Sequence, residues 1–246
     1  MARQERAVRT RNALIESAAE LFDRDGFETA SLSMISARAG VSSGALHFHF
    51  ASKAELADAV GRAAALRLDR ITAPAADSAL QSLIDATYAL VRALGRDAVL
   101  RAGFGLGRGC DQGHPDTGLC RAWQAWVEEV LAKADAEGAL ARGVSAGDAA
   151  AAVVAATVGI ESLGRSDPRW LSSESAARLW RLLLPRIART PTMYSPVPSG
   201  AAPGTGSRTG PAERRETGDA RPRVGRVGAG AWVRGGRPPV GRGAER

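Results

Sequence analysis

Residues 31–50 read SLSMISARAGVSSGALHFHF and run directly into Ala51-Ser52-Lys53-Ala54-Glu55-Leu56. Apolar Leu32, Ile35 and Ala39 recur at spacings of three and four, which puts them on one face of a short helix. Gly40 breaks that helix, Val41 plugs the turn, and Ser42 and Ser43 are N-cap residues for a second helix through Ala45, Leu46 and Phe48. Two short helices across a glycine turn form a helix-turn-helix, a shape that can seat one helix in a DNA major groove.

Working outward, the chain reads as helix after helix up to about residue 190, with no convincing alternating strand. Upstream, Leu14, Ala18, Leu21 and Phe22 make an apolar stripe ending at Asp25-Gly26, where glycine can close a helix in the left-handed conformation. Downstream, Ser52 and Glu55 form a capping-box pattern for a helix through Leu56, Val60, Ala64 and Leu68. Further helices are expected over 77–94, 98–106 and 117–137. The glycine-rich stretch 103–118, which contains Pro115, predicts a long loop or an interrupted helix. Ser145 and Asp148 cap a helix carrying the apolar run 149–160, which needs neighbours on nearly every side and so belongs in the core or in a subunit interface. A last helix, 172–189, has Leu179, Leu182, Leu183 and Ile187 on one face, and with its predecessor could supply a dimer seam.

The net charge of +7 over 246 residues invites a polyanionic partner, but its location weakens the inference. Ten arginines and four acidic residues fall in 191–246, so the tail holds +6 of the excess and the preceding 190 residues are nearly neutral. From Pro191 onward Gly, Pro and Arg dominate and apolar periodicity is lost, so 191–246 is expected to be a disordered tail able to touch phosphates without reading sequence. Two cysteines, Cys110 and Cys120, form no CxxC pair, and the polar opening MARQERAVRTRN is no secretory signal; a cytoplasmic protein without structural disulfides is expected. The longest apolar run, 12 residues, falls short of a membrane span.

The residues that carry chemistry are few. No nucleophile motif, phosphate-cradling glycine loop or paired carboxylates at informative spacing occur, so no catalytic residue, cofactor or enzymatic activity is expected. His47 and His49 would point about 200° apart on a helix, which disfavours a shared metal ion, and Cys110 and Cys120 with His114 and Asp116 lack a zinc spacing. Trp123 and Trp126, in LCRAWQAW, offer a large apolar plate with an N–H donor that suits a ring-shaped ligand bearing a carbonyl, although tryptophans at i and i+3 are often plain core.

The pattern Ala19-Glu20-Leu21-Phe22, Gly26-Phe27, Thr29, Ser31, Ile35, Ala39-Gly40-Val41, Gly44-Ala45-Leu46, Phe48-His49-Phe50 and Lys53-Leu56 resembles the TetR family of transcriptional regulators. Within it, the opening through MARQERAVRTRNALIESAAELFDRDGFETASLSMI and the phrase GALHFHF resemble the γ-butyrolactone receptors of actinomycetes, a similarity that fades beyond about Val60. The resemblance implies an all-α protein. A helix-turn-helix head, 1–52, would be followed by a helical ligand-binding and dimerisation body, 53–190, and then by the tail. It implies a homodimeric repressor of double-stranded operator DNA, released by a small-molecule effector, with antibiotics or other metabolites as alternative effectors and no membrane partner. Candidate DNA contacts are Ser31, Ser33, Ser42, Ser43, Gly44, Ala45, His47, Phe48, His49 and Lys53. Lys53 is expected on phosphate. The receptors' pocket tryptophan, about fifteen residues before the glycine ending its helix, falls on Trp123, with Trp126 as a second wall. Two departures stand out: Ser43 replaces a frequent lysine and His47 a usual tyrosine, which puts the operator and its affinity in question.

Overall fold

Caps and glycines set the outline of the N-terminal head. A computed structural model describes residues 2–73, 76, 78–109 and 118–198, so Cys110, His114, Asp116, Trp232 and the arginine-rich stretch from 199 lie outside the described residues. Helix α1 (Ala2–Asp25) ends where Gly26 takes φ +83°, as its stripe predicts. Helix α2 (Leu32–Arg38) is capped by the Ser31 hydroxyl, which accepts from the Met34 N–H at 3.2 Å. Gly40 turns the chain with φ +66°, and the Val41 N–H donates to the Ser36 carbonyl at 3.0 Å. Helix α3 (Ser43–His49) starts from Ser42, whose hydroxyl accepts from the Ala45 N–H at 3.2 Å. Leu14, Ala18, Leu21, Phe22, Ile35, Leu46 and Phe50 are buried and form the head's core, a single apolar seam gathered from the three predicted stripes.

Helix α4 (Lys53–Thr72) leads out of the head. Its start is a reciprocal cap: the Ser52 hydroxyl accepts from the Glu55 N–H at 3.1 Å, and the Glu55 carboxylate accepts from the Ala51 N–H at 2.7 Å. The body adds α5 (Ala79–Leu94), α6 (Ala98–Gly109), α7 (Leu119–Ala136), α8 (Ala146–Gly164) and α9 (Ser173–Ile187), with a 3₁₀ turn at Pro168–Leu171. All the named elements among the described residues are helical. Helix α5 is the hub: ten of its sixteen residues are buried, and it lies against α4, α7, α8 and α9.

Three expectations are corrected by the packing. The first is the glycine-rich loop: residues 103–109 continue α6 as regular helix. A Cβ on Gly103 would stand 2.4 Å from the Ala64 Cβ of α4, and one on Gly105 would stand 2.7 Å from the Arg165 guanidinium. These glycines therefore permit close approach of elements that already have regular structure. The second is the single face read for Leu179, Leu182, Leu183 and Ile187: the side of α9 packed into the body is Ala176, Trp180, Leu184 and Ile187, while Leu182 is 72% exposed and stays open to a partner. The third is the end of the body. The chain stays structured for eight residues past the expected boundary, through a 3₁₀ turn at Pro191–Met193. Gln81 bonds both the N–H and the carbonyl of Ser195, and the Tyr88 hydroxyl donates to the Pro196 carbonyl at 2.7 Å.

Helix α8 is long and apolar enough, by length and composition alone, to cross a membrane. Its placement explains that composition otherwise. One side, with Ala149, Ala150, Val153, Thr157 and Ile160, is buried against α7 and α5, while Ala151, Ala152, Ala155 and Leu163 are exposed.

Candidate functional site

Helix α3 presents one clear outer face. Ser43, Gly44, His47 and Phe48 are exposed, Ala45 and His49 are half-buried, and Leu46 is buried. Positions i, i+1, i+4 and i+5 share one side of a helix, so the burial of Leu46 and the following Phe50 orients the other side outward. Phe48 is 82% exposed, an unusual cost for a benzyl group with nothing to cover it. It meets His49 edge-on, with ring centroids 5.2 Å apart and planes at 81°. His47 and His49 thus occupy different surroundings, as their spacing predicts.

Ser31 and Ser33 are exposed at the start of α2, and Ser42 at the start of α3, where the cap bond leaves each hydroxyl of Ser31 and Ser42 its own proton to donate. Lys53 stands differently from the simple phosphate contact expected. Its ammonium donates to the Phe27 carbonyl at 2.8 Å and the Glu28 carbonyl at 3.2 Å, and lies 4.4 Å from the Phe27 ring centroid. It clips α4 to the turn after α1, and one of its three donors remains for a phosphate. Residues 39–52 contain no lysine or arginine at all.

In the body, Trp123 is fully buried on α7, and its indole N–H donates to the Thr157 hydroxyl of α8 at 2.8 Å. Thr157 passes its own proton to the Val153 carbonyl at 2.9 Å, completing a buried chain of bonds. Trp126 stacks on Trp123, centroids 5.2 Å apart and planes 27° from parallel, and is itself half-buried. Sequence reasoning missed Thr157; the one available signal was a hydroxyl inside the apolar run of α8. It also missed the polar joint between head and body. Arg101 of α6 donates to the Asp23 carboxylate of α1 at 2.8 Å, and Arg165 of α8 lies 3.8 Å from the same carboxylate while donating to Glu161 at 3.0 Å. Arg67 of α4 pairs with both Glu16 of α1 and Asp97.

These features can be set beside known proteins. Residues 14–60 match the domain described as bacterial regulatory proteins, tetR family. Over 227 residues the chain is 31% identical to the A-factor receptor protein of Streptomyces griseus, a match covering 88% of this chain and 77% of that one. The chain belongs to the TetR family. The matched residues cover most of the head and the first turns of α4, so the helix-turn-helix is that family's domain. Among solved structures, it is similar to a γ-butyrolactone receptor (ArpA-like protein), with 31% identity, a TM-score of 0.65, and coverage of 74% of this chain and 90% of that one. It is also similar to the TetR family protein CprB of Streptomyces coelicolor, solved in complex with its biological operator sequence, at 32% identity, a TM-score of 0.62 and the same coverage.

Proposed function

We propose that this protein is a homodimeric transcriptional repressor that holds operator DNA through α3 and lets go when a γ-butyrolactone binds beside Trp123. The observation that carries the DNA half is the outer face of α3, where Ser43, Gly44, His47 and Phe48 are exposed on a head otherwise packed by its own core. Serine hydroxyls at 31, 33, 42 and 43 reach phosphates or base edges, Ala45 and Phe48 suit thymine methyl groups, and His47 and His49 donate to phosphate. The head, 1–52, is the reading unit, and the body from 53 binds the effector and the second protomer. The exposed apolar residues of α8, together with Leu182 of α9, form the surface on which a second copy closes.

For the effector, the stacked pair of Trp123 and Trp126 supplies an apolar plate, and the Trp123 N–H a donor for a lactone carbonyl. A carbonyl oxygen taking that N–H from Thr157 would shift α7 against α8. Helix α8 ends at the Arg165 cluster, which touches α1 through Asp23. Release needs only a preference for the non-binding arrangement: about 1.4 kcal/mol changes operator affinity roughly tenfold.

The experiment is footprinting of the full chain on DNA selected from random sequence, repeated with a chain ending at Pro198, because Ser195 and Pro196 are tied to α5. The expected result is two half-sites centred about 34–36 Å apart, or a multiple of that spacing, kept in the shorter chain. Protection without sequence preference, lost with the tail, would favour a sequence-independent binder driven by the arginines of 199–246. A specific footprint released by antibiotics or other metabolites, with lactones inert, would favour a receptor-like regulator on the same scaffold.

A further inference from the structure

Resting on the DNA reading above, we infer that operator binding is linked to protonation of His47, whose imidazole takes up a proton as α3 enters the groove and meets DNA as a cation. The consequence is an operator affinity that rises as pH falls. Three observations lead there. The first is the charge of the reading surface: residues 39–52 carry no lysine or arginine, although neutralising phosphates supplies a large share of the affinity of a DNA-binding protein. Histidine is the only residue type in that stretch able to become a cation, and it stands at 47 and 49.

The second is the placing of the two rings. His47 follows Ser43 by four positions and Gly44 by three, so it stands between these exposed residues on the outer side of α3 and is itself exposed. His49 lies off that side, half-buried, with Phe48 edge-on to it at 5.2 Å. His47 is therefore the ring that the reading face presents.

The third is that the charged groups around α3 are committed elsewhere. The helix packs on α1 and α2. On α1, Glu16 pairs with Arg67, Glu20 with Arg38 of α2, Asp23 with Arg101 and Asp25 with Arg24, while the Arg11 guanidinium lies over the Phe50 ring, 5.1 Å from its centroid. Where α4 adjoins, Lys53 holds the Phe27 and Glu28 carbonyls, and Glu55 accepts from the Ala51 N–H. Among the described residues none of these groups makes an ion pair or hydrogen bond with His47. Imidazole changes charge between about pH 5 and 8, and a phosphate brought against an uncommitted ring favours the charged form, whose N–H then donates a charge-assisted bond. Because the bound state holds more protons than the free one, affinity climbs as pH falls through that range, and it levels off where the free ring is already charged.

The test measures binding of the full chain to its selected operator and to non-specific DNA over about pH 5 to 9, each across a salt series, for wild type, His47→Gln, His47→Lys and His49→Gln. Wild type should bind the operator roughly tenfold more tightly at the acid end. Its slope of log K against log salt should be steeper there by about two units per dimer, one for each charged ring. His47→Gln should show neither change and bind throughout as wild type does at the alkaline end, whereas His49→Gln should follow wild type. His47→Lys carries its charge at every pH of the series, so it should keep the tight binding and the steep slope across the range. A wild-type complex that is operator-specific but equally tight at both ends overturns the proton linkage and leaves the repressor reading standing. A His47→Gln chain with the wild-type profile, a His49→Gln chain that loses it, or a His47→Lys chain that weakens as pH rises overturns the linkage too. A wild-type chain with no operator-specific complex at any pH refutes the repressor reading and the linkage with it.

Discussion

The indole N–H of Trp123 and the hydroxyl of Thr157, both completely buried, bind α7 to α8 through a 2.8 Å hydrogen bond in the middle of the body. Trp123 is thereby both a core residue and a donor that another acceptor could take over. Thr157→Val keeps the shape and removes the acceptor, leaving a buried N–H unpaired. The expected cost is about 1–3 kcal/mol of unfolding free energy, read by urea denaturation. Combining it with Trp123→Phe should cost less than the two changes added together, because the orphaned donor disappears.

Lys53→Met tests whether the ammonium clips the fold. The variant keeps the apolar stem beside Phe27 but gives up the bonds to the Phe27 and Glu28 carbonyls. A loss of about 1–2 kcal/mol in stability is expected, from charge-assisted bonds that are partly exposed. Unchanged denaturation, with weakened DNA binding alone, would mean that the residue serves only the phosphate.

Gly103→Ala should be far more costly than an alanine in a helix normally is. The new methyl would meet the Ala64 Cβ at 2.4 Å, forcing α6 off α4. Destabilisation of about 1–3 kcal/mol is expected from overpacking. The companion change Ala64→Gly should restore part of it, as thermal melts of the single and double variants would report.

How much of this was legible beforehand depended on how local each cause was. The helix-turn-helix was readable because its caps, Ser31, Ser42 and Ser52, and its glycine breaks, Gly26 and Gly40, act within one turn of themselves. Gly103 and Gly105 were misread because glycine in a sequence signals a loop, whereas here it answers to Ala64 and Arg165, residues about 40 and 60 positions away. On α9, apolar Leu179, Trp180, Leu182, Leu183, Leu184 and Ile187 span an arc of about 200°, wider than one packing face, so periodicity alone could not say which edge is buried. Trp123 was identified, but not Thr157, since nothing near either residue announces a bond across 34 positions. The end of the body was set at 190 by composition, while bonds from Gln81 and Tyr88 hold the chain to Pro196. Burial also pushes the Tyr88 hydroxyl pKa above its ordinary value, which favours the protonated form that donates to Pro196.

Ser43→Lys should strengthen DNA binding. Ser43 is exposed at the first position of α3, in a stretch without lysine or arginine. One added phosphate contact per protomer should steepen the salt dependence by about two units of log slope per dimer, measured by fluorescence anisotropy on operator DNA. An unchanged slope would place position 43 away from the backbone.

The central claim, that a lactone held at Trp123 governs DNA binding, is tested most directly by a gel shift of the full chain on its selected operator, titrated with a series of γ-butyrolactones, with Trp123→Phe alongside. The account predicts a specific complex that dissociates as lactone rises, and a Trp123→Phe protein that binds the operator as wild type does but is released only at much higher lactone. A wild-type complex that persists at every lactone concentration, or a Trp123→Phe complex released as readily as wild type, would contradict it.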